Sequence, residues 1–323
     1  PQASTIEGIK YHSIEFKGFE DFTITKSQSI SDEITEVSPD IAACNDCLSD
    51  MKNQERRIDY PFTNCTNCGP RFTIIKDLPY DRKKSTMKVF EMCPECEKEY
   101  TTILDRRFHA QPVACKICGP TYTLHFKDQL LTDINKILHK AIELLEGGKI
   151  LAIKGLGGYH LACSAFNEDA IKLLREQKNR EGKPFALMFG DINAAREYLQ
   201  INAEEEELMT SWKKPVVLLK IKKDMAPSIS IQLDTAGAML PYMPFHHMLF
   251  ENLNIPAIVL TSGNISDEPI VIDNNEALNK LGAIADAVIT YNRNIHNRTD
   301  DSVAMVVNKR SRLIRRSRSY VPS

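Results

Sequence analysis

The chain has 323 residues, of which 42% are hydrophobic and 26% charged, with a formal net charge of −2. That balance is ordinary for a globular protein and leaves room for about two domains, or one domain with appended modules. The near-zero charge argues against wholesale polyanion binding, so nucleic acid is not the expected partner, and the absence of a recognisable signal peptide or transmembrane run makes the cytoplasm the expected compartment and a membrane partner not expected.

Residues 1–26 alternate apolar and polar side chains through Ile6, Ile9, Tyr11, Phe16, Phe19, Phe22 and Ile24, which predicts one or two short strands. They are too few to fold alone. Residues 1–39 therefore read as the last strand of a preceding domain and its linker. Residues 40–127 carry four Cys-x-x-Cys pairs: Cys44/Cys47, Cys65/Cys68, Cys93/Cys96 and Cys115/Cys118. They form two near-copies of one unit. Each second pair runs into Gly-Pro and then an aromatic-Thr dipeptide, and each copy has a double arginine midway, Arg56-Arg57 and Arg106-Arg107. Two thiolates spaced by two residues face one cation from a tight turn, and four thiolates complete a tetrahedral Zn2+ with no open position. Eight cysteines make two closed, structural zinc sites. Four disulfides or redox pairs fit a cytosolic duplicated frame less well. Pairing within each copy and a crossed arrangement, first with fourth and second with third, use the same ligands.

Residues 128–323 change to alternating strands and helices, an α/β (α+β) domain with a mixed, twisted sheet and some antiparallel pairing. Thr132 or Asp133 caps a helix with Ile134, Ile137, Leu138, Ile142 and Leu145 on one face, ended by Gly147-Gly148. Expected strands are 149–154, 185–189, 215–221, 257–261, 286–291, 303–307 and 312–315. Expected helices are one capped by Asn167 and ending near Gln177, then 191–199, 245–253 and 274–284. Cys163, outside the pairs, reads as a small core residue.

Three stretches look chemical. A glycine turn, Gly155-Leu156-Gly157-Gly158-Tyr159-His160, follows a strand that ends in Lys154. Lys178, Arg180 and Lys183 crowd a helix end and the following bend, which suits a triphosphate. Thr261-Ser262-Gly263-Asn264 places hydroxyls and an amide at the mouth of a buried strand, where open sheets bind ligands. Arg298-Thr299-Asp300-Asp301-Ser302 forms either a salt-bridged turn or a second wall of the pocket. Of His246-His247, one is expected to pack and the other to face the cleft.

Together these stretches resemble the HypF family, the carbamoyltransferases that begin assembly of the cyanide ligands of nickel–iron hydrogenase. The duplicated Cys-Gly-Pro array resembles its paired zinc fingers. The segment Lys154 to Cys163, Lys183 to Met188, Leu240-Pro241-Tyr242, His246-His247 and Thr261 to Asn264 resemble its YrdC-like domain. In the wider YrdC superfamily Lys178-x-Arg180 and Ser262-x-Asn264 resemble signatures that surround ATP, and Ser302 and Arg315 or Arg316 resemble later positions of that pocket. Ser164, Asn292, Asn294 and Ser319 depart from the family's usual residues. The resemblance implies ATP, Mg2+ and carbamate derived from carbamoyl phosphate as ligands, formation of carbamoyl-adenylate with release of pyrophosphate, and a HypE-type protein whose C-terminal cysteine receives the carbamoyl group. It implies Lys178, Arg180 and Lys183 on the phosphates, with Ser262 and Asn264 on phosphate or ribose oxygens. It also places Lys154, Tyr159 and His160 at the carbamate end, with Gly157, Gly158, Thr261, Arg298, Ser302 and Arg316 around the pocket. An acylphosphatase and a large transfer domain of the family are missing, so the chain reads as a fragment. Two other readings are a threonylcarbamoyl-adenylate synthase for tRNA modification and a non-catalytic zinc-stabilised module binding RNA or protein through the basic run 309–318.

Overall fold

The alternation after the cysteine array folds into one mixed sheet, seen in a computed structural model that describes residues 10–16, 18, 37–265 and 268–322. Residues 10–16 carry no strand, and the strand positions expected at Ile6, Ile9, Phe19, Phe22 and Ile24 lie outside the described residues. The cysteine modules contribute α1 (Asn45–Asn53) and α2 (Pro94–Thr101). There follow β1 (Tyr122–Phe126), β2 (Gln129–Leu131), α3 (Ile134–Glu146), β3 (Leu151–Lys154), β4 (Tyr159–Ser164), α4 (Glu168–Gln177), β5 (Ala186–Phe189), α5 (Ile192–Tyr198), β6 (Leu199–Gln200), α6 (Ala203–Thr210), β7 (Val216–Ile221) and β8 (Thr235–Met239). The chain ends with α7 (Pro244–Glu251), β9 (Ala257–Ser262), α8 (Asn274–Lys280), β10 (Ala287–Tyr291), β11 (Val303–Val307) and β12 (Arg310–Arg315).

The strands run in the order β12-β11-β7-β8-β5-β9-β4-β3-β10-β1-β2, with β6 on β7. Three neighbouring pairs are parallel, β3/β10, β5/β8 and β7/β11. The remaining pairs are antiparallel, as the imperfect strand–helix alternation predicted.

Local chemistry sets the element ends. Asp133 caps α3 by accepting from the Lys136 N–H, Asn167 caps α4 by accepting from Ala170, and Gly147 follows the last turn of α3. The apolar stripe of α3 buries Ile137, Leu138, Ala141, Leu144 and Leu145, while Ile134 and Ile142 pack only at its margin. Several elements escaped prediction, among them β4, β8 and α6. Strand β4 is buried along all six residues, so it has no period of two. Strand β8, Thr-Ala-Gly-Ala-Met, has Thr235 as its one β-former. Helix α6, with four consecutive glutamates, lacks an apolar stripe, although its Asn202–Glu205 capping box was readable.

Two cores cover the two faces of the sheet. One holds Ile171, Leu174, Leu187, Ala195, Val259 and Ala277 with Cys163 among them, as expected. The other joins Leu124, Ile137, Leu260 and Ile289 to Tyr60, Phe62, Ile74 and Met87 from the cysteine modules. Phe62 stacks on Tyr122 at 4.9 Å between centroids and meets Tyr291 edge-on at 5.3 Å. The modules are thus built into the domain's core and are not beads on a linker. Among the described residues no helix is long and apolar enough to cross a membrane.

Candidate nucleotide cavity and paired metal centres

The eight cysteines gather within each copy: Cys44, Cys47, Cys65 and Cys68 in one cluster, Cys93, Cys96, Cys115 and Cys118 in the other. Sequential pairing holds, and the crossed arrangement does not. Four sulfurs at about 2.3 Å from a tetrahedral Zn2+ lie about 3.8 Å apart. The sulfurs of the first cluster are 3.7 Å (Cys44–Cys65), 3.9 Å (Cys65–Cys68) and 3.6 Å (Cys68–Cys47) apart, and those of the second 3.8, 3.9 and 3.6 Å. The donor sets fit zinc. In the first knuckle Gly69 has φ +96°, a conformation that an L side chain resists.

The double arginines serve the opposite module. Arg56 Nη2 donates to Cys96 Sγ at 2.8 Å and Arg57 pairs with Glu99 at 2.6 Å, both in the second module. Arg106 Nη1 donates to Cys47 Sγ at 3.4 Å and Arg107 pairs with Asp50, both in the first. A zinc with four thiolates carries two negative charges, so each module's charge is offset by its twin. Such outer partners typically contribute ten- to hundredfold in metal affinity. Arg106→Ala should therefore loosen zinc from the first cluster by about tenfold or more while the second cluster keeps its own; competition with a chelator, read as metal per protein, would show equal retention at both sites if the crossing were incidental.

Lys178 closes α4 as its C-cap and is 2% exposed. Its ammonium donates to the Ser262 carbonyl at 2.7 Å, the Asn264 carbonyl at 2.6 Å and Asn264 Oδ1 at 3.1 Å. Ser262 Oγ donates to the same Oδ1 at 2.8 Å. The cationic bend and the hydroxyl–amide corner are therefore tied to each other. Burial, then the neighbouring Arg180 charge, lower the Lys178 pKa to about 8. Beside this knot opens a cavity of about 440 Å³ lined by Arg180, Lys183, Thr261, Ser262, Asp300 and Arg315, with an apolar wall that includes Phe185, Val216 and Ile314. The volume is in the range of small-ligand sites. Arg180 holds the bend by donating to the carbonyls of Lys183 at 2.9 Å and Pro184 at 2.6 Å, its guanidinium over the Phe185 ring at 5.0 Å. Burial, then Arg175 and Arg315, lower its pKa to about 10.

The other expected residues fall into three groups. Thr261, Ser262, Arg180 and Lys183 line the cavity, whereas Lys178 and Asn264 stand behind it as its fastening. Lys154, Tyr159 and His160 face away into a buried polar network. Lys154 Nζ donates to Asn274 Oδ1 at 2.6 Å and to the carbonyls of Tyr291 and Arg293 at 3.1 Å each. Burial, then Arg293, lower its pKa to about 7. Tyr159 Oη donates to that same Asn274 oxygen at 2.8 Å. His160 Nε2 lies 3.2 Å from Asp301, whose other oxygen accepts from Arg318 Nε at 2.8 Å. Burial alone would raise the Asp301 pKa; Arg318 and His160 outweigh it and hold the carboxylate far below its ordinary range.

Gly157 and Gly158 form the turn between β3 and β4, and a Cβ on Gly157 would come within 1.8 Å of Thr299 Oγ1, so the turn seats the 298–302 segment. Ser302 is a clamp, donating to the Arg318 carbonyl at 2.9 Å and accepting from Ser317 N–H at 2.8 Å. Arg298 and Arg316 are exposed and do not line the cavity; of the pair at 315–316, Arg315 does. Strand β12 ends at Arg315, so Arg316 lies beyond the edge that borders the cavity. His246 packs edge-on against Tyr242 at 4.7 Å, and His247 faces a groove beside α1 instead of the cavity beside Lys178. Asp300 was expected only as part of the 298–302 segment, and the apolar wall was not singled out, because single apolar residues from five strands carry no local signal.

Residues 143–317 match the family described as Telomere recombination (Sua5/YciO/YrdC), and residues 43–75 and 92–125 each match the HypF finger. A carbamoyltransferase HypF of Rhodobacter capsulatus is 44% identical over 94% of this chain and 40% of its own length, and one of Synechocystis is 41% identical over all of this chain and 42% of its own. A crystal structure of full-length HypF in the phosphate- and nucleotide-bound form superposes with a TM-score of 0.91 at 48% identity, covering 96% of this chain and 40% of that one. The chain thus spans about two fifths of the length of the relatives it matches. By the match across 143–317 and by its paired fingers, the chain belongs to the Sua5/YciO/YrdC family, in its HypF branch.

Proposed function

We propose that the cavity binds ATP with Mg2+ and adenylates carbamate, the activation step of a carbamoyltransferase. The observation that carries this reading is the Lys178 knot, which fastens the 178–183 bend to the 262–264 corner beside a cavity with three cations on its wall. The apolar wall suits an adenine ring, and Arg180, Lys183 and Arg315 suit the phosphates. A carbamate oxygen attacks the α-phosphorus, the bond to the β-phosphate breaks, and pyrophosphate leaves with the electron pair. Fixed cations stabilise the charge that builds on the phosphoryl and departing oxygens. Carbamate is already anionic, so no general base is needed. The division of labour follows the geometry: Arg180, Lys183 and Arg315 face the ligand, and Lys178 with Asn264 holds Ser262 in place. Lys154 at the end of β3 and Tyr159 and His160 at the start of β4, paired across the two strands, act on the carbamate end without lining the cavity.

The named relatives are carbamoyltransferases, which supports carbamoyl phosphate as the source of carbamate and, in the whole protein, a HypE-type acceptor in the cytoplasm. Incubating the chain with ATP, Mg2+ and an ammonium carbamate solution should release pyrophosphate, and Arg180→Ala should lower the rate by about a hundredfold or more with zinc content unchanged. Release that requires threonine with bicarbonate would assign the pocket to threonylcarbamoyl-adenylate synthesis instead, and an Arg180→Ala rate equal to wild type would refute the phosphate assignment.

A further inference from the structure

Two carboxylates border the cavity, and they are held differently. Asp301 is buried between Arg318 and His160, both oxygens committed to the protein interior. Asp300 is partly exposed, one oxygen 2.6 Å from Arg315 Nη1 and the other accepting only the N–H of Asp301 at 2.7 Å. Its ionic partner is thus a cation that itself faces the cavity. A polyphosphate that takes Arg315 must draw it from Asp300 or lie beside it. Either way a carboxylate is left roughly two hydrogen-bond lengths from a phosphate oxygen, and at that range like charges repel strongly in a half-enclosed site. A divalent cation on the phosphates reverses the sign. Mg2+ is characteristically held by one or two carboxylates together with substrate phosphates, and Asp300, with its second oxygen near the cavity, meets that description.

We propose that Asp300 makes the cavity selective for a polyphosphate that arrives with a divalent cation: the phosphates take the Arg315 guanidinium, and the carboxylate exchanges that ion pair for the metal. This rests on the nucleotide reading of the cavity. It assigns the acidic side of the wall a task that the cations cannot perform, the rejection of metal-free nucleotide.

The test is calorimetric titration of the full chain with ATP in the presence of Mg2+ and, separately, in EDTA kept below the level that strips zinc, as checked by metal content. Wild type should prefer the Mg2+-loaded form by about thirtyfold or more, and Asp300→Asn, which preserves shape and the contact to Asp301, should bring the two within about threefold, chiefly by tightening metal-free ATP. Asp300→Glu should restore part of the preference, which guards against a merely misfolded asparagine variant. A preference unchanged in Asp300→Asn, including equal tightening of both forms, would overturn the inference and leave Asp300 as a simple counter-ion. Wild type that binds neither form would overturn the nucleotide reading itself, and this inference with it.

Discussion

Lys178→Met should abolish measurable ATP binding, a loss of about a hundredfold or more, while moving the melting temperature by only a few degrees. Two opposing effects set that stability outcome. The ammonium is almost wholly buried and gives three hydrogen bonds to the 262–264 corner, so its removal leaves carbonyls unpaired at a cost of about 2–3 kcal/mol. Against this, a pKa lowered from 10.5 to about 8 means that the folded state disfavours the charge by about 3 kcal/mol, which methionine relieves. The effects offset each other, and what is lost is the geometry of the corner. A large drop in melting temperature with nucleotide binding intact would reverse both halves of this expectation. The same shift fixes the pH dependence. Between about pH 8 and 10.5 the unfolded chain holds the Lys178 proton and the folded chain does not, so this group's contribution to stability rises with pH across that window. ATP affinity runs the other way and falls as pH passes about 8, because the neutral amine has two N–H donors for three acceptors and no charge.

Removal of zinc should be the most destructive single change. Structural zinc sites are worth on the order of 10 kcal/mol in isolated fingers, comparable with the whole stability of a domain. Here the modules also supply Tyr60, Phe62, Ile74 and Met87 to the core that carries Leu260, Val216 and Ile289. Val216 and Leu260 line the nucleotide cavity as well. Chelation should therefore lower the melting temperature of the entire chain and abolish ATP binding, not merely release two small modules. A chelated chain that melts at the wild-type temperature would show the modules to be independent of the domain.

Much of this molecule was readable before its structure. The Cys-x-x-Cys frame revealed two metal units because ligand chemistry tolerates few spacings, and the capped, amphipathic α3 and α4 declared their own ends through Asp133 and Asn167. The knot between Lys178 and Asn264 was legible as two patches that ought to meet, but not as a direct bond. Proximity across 86 residues is decided by β4, β5 and β9 lying side by side, and β4 was the strand that a uniformly buried sequence concealed. The same cause misplaced His160. Read as a turn residue it was expected to face a ligand; as a β4 residue beside Asp301 it is held inside, and Lys154, read at a strand's end, is held there by Tyr291. The crosswise arginines were visible only as a repeated pair, since a local repeat does not say which copy each member serves.

The account depends on one hollow receiving a nucleotide between the 178–183 bend and the 262–264 corner. Calorimetric titration of the zinc-loaded chain with Mg2+ and ATP near pH 7 tests it most directly. A saturable isotherm with one ATP per chain, lost in Lys178→Met at unchanged zinc content, is the predicted result. An absence of saturable heat in the folded, zinc-replete wild type, or binding that persists undiminished without Lys178, would contradict it.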